Sequence, residues 1–203
     1  MLPSDFEHKS YHFTLRDGTE VILRKVTPED KKRIQEGFQQ FSPRSRYMRF
    51  FSHIRQLTKS QLAYLTEIDY RTHMAWGLVR KSDPDSGIAI ARMVMLPENE
   101  KMAEIAISVI DTKHSMGAGM ILMAALNYSA IARNITTFRS YILLENKTLV
   151  ESMKKINSVF SYKEKGVFEV ETPVLSHESD FPDSNTGRIL KQQMLEFYHQ
   201  AIL

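Results

Sequence analysis

The stretch Gly117-Ala118-Gly119-Met120-Ile121-Leu122-Met123-Ala124-Ala125-Leu126 constrains the fold more than any other in the chain. Its helical pattern runs on to Arg133, and its first half is apolar on nearly every side. A helix with no polar face cannot lie on a surface, so other elements have to cover it all round. A membrane does not serve as the cover: the longest apolar run, Met120 to Leu126, is far short of the roughly 20 residues that a spanning helix requires. The chain therefore has to build a core around this helix. With 203 residues, 42% of them hydrophobic, it has the material to do so without a metal or disulfide staple. Cys is absent, which removes disulfides, Cys-zinc sites, thiol nucleophiles and redox pairs together and fits a reducing compartment.

Met1-Leu2-Pro3-Ser4-Asp5-Phe6-Glu7 has no basic start followed by an apolar run, so no signal peptide is expected. The expected location is cytoplasmic, with no membrane partner. The formal net charge of +3, from 27 basic and 24 acidic residues, is too balanced to argue for nucleic acid as a partner.

Around the apolar helix the periodicity switches repeatedly. Tyr11 to Leu15 and Val21 to Val26 alternate, with Asp17-Gly18 between them as a hairpin signal. Thr27-Pro28-Glu29-Asp30 opens a helix with an N-cap, a proline at the first position and acids in the first turn. Ser42-Pro43 starts a second short helix through Phe51, and Thr58 a third through Ile68. Strands are expected over 74–79, 88–96 and 102–110, the second entered through a turn at Asp83-Pro84-Asp85-Ser86-Gly87. Another strand is expected over 137–144, a helix over 146–156, a hairpin over 159–172 and a loop over 176–187. Ile189, Leu190, Met194, Leu195, Phe197, Tyr198 and Ile202 make the last helix amphipathic, either as a homodimer contact or as a lid on the core. The order β-β-α-α-α-β-β-β-α-β-α-β-β-α is mixed α/β of an α+β-like kind, not a regular βαβ repeat.

The richest segment runs from Ile105 to Met120, where a strand enters a glycine-bearing turn and the turn enters the buried helix. A helix start carries unpaired backbone N–H groups and partial positive charge. Ordinary starts collect Asp or Glu there. This one has Lys113, His114, Ser115, Gly117 and Gly119, an arrangement open to a phosphate or pyrophosphate. A P-loop would need Gly-Lys-Ser/Thr, which Gly119-Met120-Ile121 is not. A dinucleotide fingerprint would need a small residue where Leu122 stands. A helix entry that holds no ligand is the alternative.

The remaining spacing, His114-x-x-Gly117-x-Gly119, resembles the Gln/Arg-x-x-Gly-x-Gly/Ala turn of the GNAT superfamily of acyl-CoA-dependent N-acyltransferases, with His in place of Gln/Arg. Several further blocks look like the bacterial Pat-type protein lysine acetyltransferase domain. They are Leu15-Arg16-Asp17-Gly18-Thr19, Arg24-x-x-x-Pro28-Glu29-Asp30, Ser42-Pro43-x-Ser45-x-Tyr47-x-Arg49-Phe50-Phe51, Thr66-Glu67-Ile68-Asp69-Tyr70, Ala103-Glu104-Ile105-Ala106 and Leu143-Leu144-Glu145-Asn146. The resemblance spans residues 11 to about 160. It implies a GNAT fold, a central, mostly antiparallel, splayed sheet flanked by helices with a C-terminal helix. It divides the chain into a tail (1–10), an acyltransferase domain (11–175) and a loop-and-helix extension (176–203).

The resemblance also implies acetyl-CoA as co-substrate and a primary amine as acceptor, a protein lysine first and a small amine as alternative. A lysine amine, with a reference pKa of about 10.4, is only roughly 0.04% free base at neutral pH, so a general base beside the thioester helps. Glu104 is the candidate. It sits in the apolar run Ala103-Glu104-Ile105-Ala106-Ile107, where partial desolvation would raise its pKa. By pattern alone, a solvent-facing glutamate at a strand end is the better reading; the Pat-type resemblance reverses that. The backbone of Met116, Gly117, Ala118, Gly119 and Met120, with His114 and Ser115 beside it, is expected to hold the pyrophosphate. Backbone groups around Ile107 and Val109, freed by a splay, are expected to pair with pantetheine. Asn146 matches the family asparagine on the pantetheine arm and would serve equally as an N-cap. Met153 stands seven residues later, where many GNAT enzymes have tyrosine and Pat-type sequences do not. Asn157-Ser158 replaces the family's Gly-Phe, and Val159 or Phe160 is the expected substitute in the core.

Arg44, Arg46, Arg49, His53 and Arg55, interleaved with Tyr47, Phe50 and Phe51, read first as a solvated basic face over an aromatic core face. An acceptor groove, a contact to CoA phosphate or a nucleic-acid surface are the other readings. Trp76 reads as core. No His/Asp cluster has ligand spacing, so no metal is expected. A module that binds acyl-CoA without turnover remains an alternative to an enzyme.

Overall fold

The structure is a computed structural model and describes residues 2–203. β1 (Tyr11–Thr14) and β2 (Glu20–Lys25) form the hairpin marked by Asp17-Gly18, with Gly18 at φ +79°. β3 (His73–Arg80), β4 (Asp83–Leu96) and β5 (Asn99–Val109) extend it as an antiparallel meander. β6 (Thr137–Leu143) joins β5 in parallel, and β7 (Val159–Lys163) and β8 (Val167–Pro173) complete an eight-stranded sheet in the order β1-β2-β3-β4-β5-β6-β8-β7. The parallel seam is short. Met102 pairs with Thr137, Ala103 with Phe138 and Glu104 with Arg139, and then the two strands part.

Each helix begins where a side chain can take up the orphan N–H groups of the first turn. Thr27 and Asp30 form a capping box in the 3-10 turn that leads into α1 (Lys31–Gln39). Ser42 caps α2 (Pro43–Phe50), and Thr58 with Gln61 caps α3 (Lys59–Thr66). These three helices lie over one face of the sheet. α4 (Ala118–Ile131) packs on β3, β4 and β5 from the other face. Ile121 through Asn127 are all buried, as an apolar helix requires. α5 (Lys147–Lys154) connects β6 to β7. Its end uses Asn157 at φ +59°, a left-handed stop that Asn tolerates. Of the two candidates beyond it, Phe160 packs against the core at 5.5 Å from Phe168, whereas Val159 is exposed.

α6 (Asn185–Ile202) settles onto α4 and β1. Phe197 is fully buried, stacked on Tyr11 at 4.2 Å and Tyr128 at 5.1 Å, and meets the Trp76 ring edge-on at 5.9 Å. Trp76 is core, its indole N–H donating to Ser129 Oγ at 3.0 Å. Leu190, Met194, Phe197 and Ala201 of α6 therefore cover the core of their own chain, while Leu195 and Ile202 stay exposed.

Three expectations are corrected. Residues 2–10 are not a free tail, because Phe6 is buried between Trp76 and Phe197 and Glu7 pairs with Arg133 at 2.7 Å. The segment 83–87 belongs to β4 and not to a turn: Asp83 pairs with Arg80 across a tight reversal, with register shifts after Leu78 and Val79. α6 begins at Asn185, within the expected loop, because Ser184 accepts from the Gly187 amide as its N-cap.

Candidate active site

The site lies where β5 leaves β6. Ile110 N–H donates to Ile88 C=O, which makes Ile88–Ile110 a hydrogen-bonded pair of the antiparallel ladder. Alternation then turns the main-chain groups of Ser108, Ala106 and Glu104 toward β4, and those of Val109, Ile107 and Ile105 toward the opened side. Past Glu104 no β6 residue pairs with them. The edge around Ile107 and Val109 is thus available to a ligand with amide groups, except that Val109 C=O lies 2.9 Å from His114 Nε2.

This edge runs into a 3-10 turn (Asp111–Lys113) and then to α4, whose N-cap is Gly117 at φ +98°. Ser115 is also left-handed, at φ +62°. Among the described residues, the amides of Gly117, Ala118 and Gly119 have no hydrogen-bond partner. Those of Met116 and Met120 are already used, by Lys113 C=O at 3.4 Å and Gly117 C=O at 2.9 Å. The expected five-residue cradle is therefore narrower, centred on Gly117 to Gly119, because the turn closes on itself at both ends. A Cβ built on Gly119 would meet nothing within 4 Å, and its backbone is ordinary helix, so neither packing nor φ requires glycine there. Free amides, open space and a helix N-terminus fit a pyrophosphate group.

The turn is braced from two sides. Lys113 does not face the opening: its ammonium is 2.6 Å from Asp17 Oδ2 and 2.8 Å from Thr19 Oγ1 in the β1–β2 turn. The Lys113 hydrogen bond is the main cause that lowers the Asp17 carboxyl to about 2. Arg16 adds its amide to Met116 C=O at 3.0 Å and its guanidinium to Ser115 C=O at 3.2 Å. On the other side the Ser42 amide donates to Asp111 Oδ2 at 3.2 Å, which ties the start of α2 to the turn.

Glu104 stands at the last rung of the β5–β6 seam and is exposed. The partial desolvation expected from its apolar neighbours is absent, because the sheet opens at that rung. Asn146 caps α5 by accepting from the Leu149 amide at 3.4 Å. Met153 is buried in the core, so it takes no tyrosine-like position at the opening.

The basic stretch divides. Arg44 and Arg55 are exposed, and His53 stacks on Tyr47 at 4.9 Å. Arg49 instead turns under the helices, donating from Nε to Ser108 Oγ at 3.1 Å with its guanidinium 5.0 Å from the Phe50 ring centre. Burial first, and then Arg92, lower its pKa to about 10. Arg92 is a buried charge near Arg49 that sequence reasoning missed. It is only 6% exposed and lies 4.7 Å from the Tyr64 ring centre. The available signal was a lone charge in the apolar strand Ile88-Ala89-Ile90-Ala91-Arg92-Met93-Val94. Beside α2, a separate groove of about 400 Å3 is lined by Tyr47, Phe51, Tyr141, Leu143, Lys165 and Val167.

No protein-family model matches the chain. In sequence it is 34% identical over 160 residues to the acetyltransferase Pat of Mycolicibacterium smegmatis, an alignment covering 79% of this chain and 47% of that protein. The chain spans about half the length of the curated relatives it matches, 47% and 61% of them. In structure it resembles the GNAT domain of S. lividans PAT with a TM-score of 0.75 and 22% identity, over 85% of this chain and 99% of that one. It also resembles yncA of Salmonella typhimurium, solved with its cofactor acetyl-CoA, with a TM-score of 0.61 and 12% identity over 81% and 98% of the two chains. The splayed seam, the glycine turn into α4 and these likenesses agree: the chain has the fold of the GNAT acetyltransferases and is similar in sequence to the acetyltransferase Pat.

Proposed function

We propose that the chain binds acetyl-CoA along the parted edge of β5 and transfers its acetyl group to a primary amine, with a protein lysine as the acceptor. The observation that carries this reading is one continuous surface. It runs from the unpaired backbone of Ile107 to the free amides of Gly117, Ala118 and Gly119, with Glu104 at the inner end of the opening. The similarity to the acetyltransferase Pat supports an acetyl donor, and the choice of lysine among amines rests on the resemblance of the sequence blocks to the Pat-type domain.

The residues divide the work by position. Gly117, Ala118 and Gly119 offer N–H donors to the pyrophosphate, and the macrodipole of α4 adds to the attraction. The Ile107 backbone aligns the pantetheine amides, and His114 and Ser115 border this path. Asn146, whose amide group is half-buried beyond β6, flanks the pantetheine arm. The thioester supplies the activated acetyl group when bound. Glu104 accepts the proton of the attacking amine, directly or through one water, which its exposed position allows. Main-chain donors on the opened edge of β5 face the place where negative charge develops on the carbonyl oxygen.

The test is calorimetric titration with acetyl-CoA and CoA, followed by incubation with acetyl-CoA and candidate acceptor proteins and mass spectrometry of their lysines. Binding together with lysine acetylation supports the reading. Binding with turnover only on small amines moves the acceptor, and tight binding with no turnover on any amine reduces the chain to a binding module. No binding at millimolar acetyl-CoA overturns the reading.

A further inference from the structure

Beneath α1 and α2, against the β2–β5 face of the sheet, lies a cavity of about 80 Å3. By the same measure one water needs roughly 10–15 Å3, so the space takes a small group of atoms. Its walls carry four arginines, Arg24, Arg33, Arg49 and Arg92, and one acid, Asp30. Asp30 is fully engaged: Arg24 binds it at 2.7 Å, Arg33 pairs with it as well, and the Thr27 amide donates to it at 2.9 Å. Among the described residues, Arg49 and Arg92 have no carboxylate within ion-pair distance, Glu104 included. Arg92 is buried and Arg49 half-buried with no carboxylate in direct contact, a costly arrangement for two cations.

Both guanidinium groups are held in the same way. Arg92 lies over the Tyr64 ring and Arg49 beside Phe50, so one flat face of each is occupied; Arg49 Nε is taken by Ser108 Oγ, and the remaining in-plane N–H groups are left for a ligand. That orientation suits the two-pronged grip of guanidinium on carboxylate. Arg92 Nε is buried and has no hydrogen-bond partner. Register brings the two together. Arg92 pairs with Ala106, and Ser108, which holds Arg49, is the next residue on that face of β5. Glu104 is the preceding one, about 7 Å along the strand.

We propose that Arg49 and Arg92 form a carboxylate-binding site next to Glu104. Burial lowers the pKa of both arginines, with repulsion from Arg92 adding to it at Arg49, and burial, then Arg92, depresses His73 to about 4. An anion between the two guanidinium groups relieves that repulsion. Only the origin of the carboxylate rests on the acetyl-transfer reading. It belongs either to the acceptor, an amine that also carries an acid, or to the acyl group of a dicarboxylic thioester.

Titration calorimetry of the full chain with succinate, β-alanine and the neutral β-alaninamide tests the site without turnover. The two carboxylates are expected to bind and the amide is not. In Arg92→Met the melting temperature of the free chain should hold or rise, while carboxylate affinity falls at least about tenfold. Arg92→Lys keeps the charge without the fork and should fall between. Equal binding of acid and amide, or undiminished carboxylate binding by a folded Arg92→Met, overturns the proposal. So does a collapse of Arg92→Met that Arg92→Lys repairs, since that marks a structural arginine. Kinetics then names the source. A kcat/KM advantage of β-alanine over β-alaninamide with acetyl-CoA assigns it to the acceptor, and an advantage of succinyl-CoA over acetyl-CoA on β-alaninamide assigns it to the acyl group. Carboxylate binding with no acetylation of any amine removes the transfer reading and leaves the site in place.

Discussion

Lys113 Nζ lies 2.6 Å from Asp17 Oδ2, across 96 residues of sequence, and fastens the β1–β2 turn to the turn that precedes α4. The glycine turn is therefore shaped before any ligand arrives. Asp17→Asn should weaken acetyl-CoA binding in calorimetry while leaving the circular dichroism spectrum of the chain unchanged. An unaltered Kd would show that the turn keeps its form without the latch.

The same pair sets a pH dependence. Asp17 has a folded pKa of about 2 against a reference of 3.8, so it binds fewer protons folded than unfolded near pH 3. Its stabilising contribution is complete above about pH 4 and is lost as pH falls toward 2. Proton-detected NMR of the Asp17 carboxyl should give a midpoint well below that of a free aspartate. A midpoint at the reference value would remove Lys113 as its partner.

Gly117 and Gly119 are expected to separate. Gly117→Ala places a Cβ at φ +98° and should cost about 1 kcal/mol or more in denaturant unfolding. Gly119→Ala has ordinary helical backbone and open space, so stability should hold or rise. Its methyl would instead occupy the cradle. Loss of one charge-assisted hydrogen bond, about 1.5–3 kcal/mol, raises the Kd for CoA roughly 10–100-fold. Unchanged CoA affinity in Gly119→Ala would place the pyrophosphate elsewhere.

Glu104→Gln should lower kcat/KM by roughly 10²–10⁴-fold with CoA affinity preserved, and the loss should shrink at high pH, where the amine is already deprotonated. A rate equal to the parent from pH 6 to 9 would take Glu104 out of the proton path.

Phe197→Ala removes a ring that touches Tyr11, Trp76 and Tyr128. The expected loss is about 3–5 kcal/mol, or roughly 6–20 °C in melting temperature for a chain of this length. A shift of only a degree or two would make α6 an accessory to the core.

Much of this molecule is written in local patterns. The hairpin at Asp17-Gly18, the caps at Thr27, Ser42 and Thr58, and the apolar run of α4 each depend on residues a few positions apart, and each is legible as such. The glycine turn was legible for the same reason. What escaped depends on partners far away in sequence. Phe6 has no periodic neighbour to mark it as core, yet Trp76 and Phe197 enclose it. Lys113 reads as a ligand for an anion until Asp17 appears beside it. Glu104 reads by local pattern as a solvent-facing strand-end glutamate, and the structure leaves it exposed; only the family resemblance favours desolvation. Arg49 belongs to a basic stretch in which Arg44, His53 and Arg55 face water and Arg46 lies over Phe38; its bond to Ser108 sets it apart.

The all-apolar surroundings of α4 tie occupancy of its first turn to the fate of the whole chain. Enclosed from Ile121 to Asn127, that helix has no way to fray alone, so opening it means dissolving the interior. A ligand held by its leading amides therefore acts through mass action on global unfolding, by about 2.7 kcal/mol at a hundredfold excess over Kd. In hydrogen exchange this emerges as slowed release of the slowest amides in distant β1 and α6, rather than as protection confined to the turn.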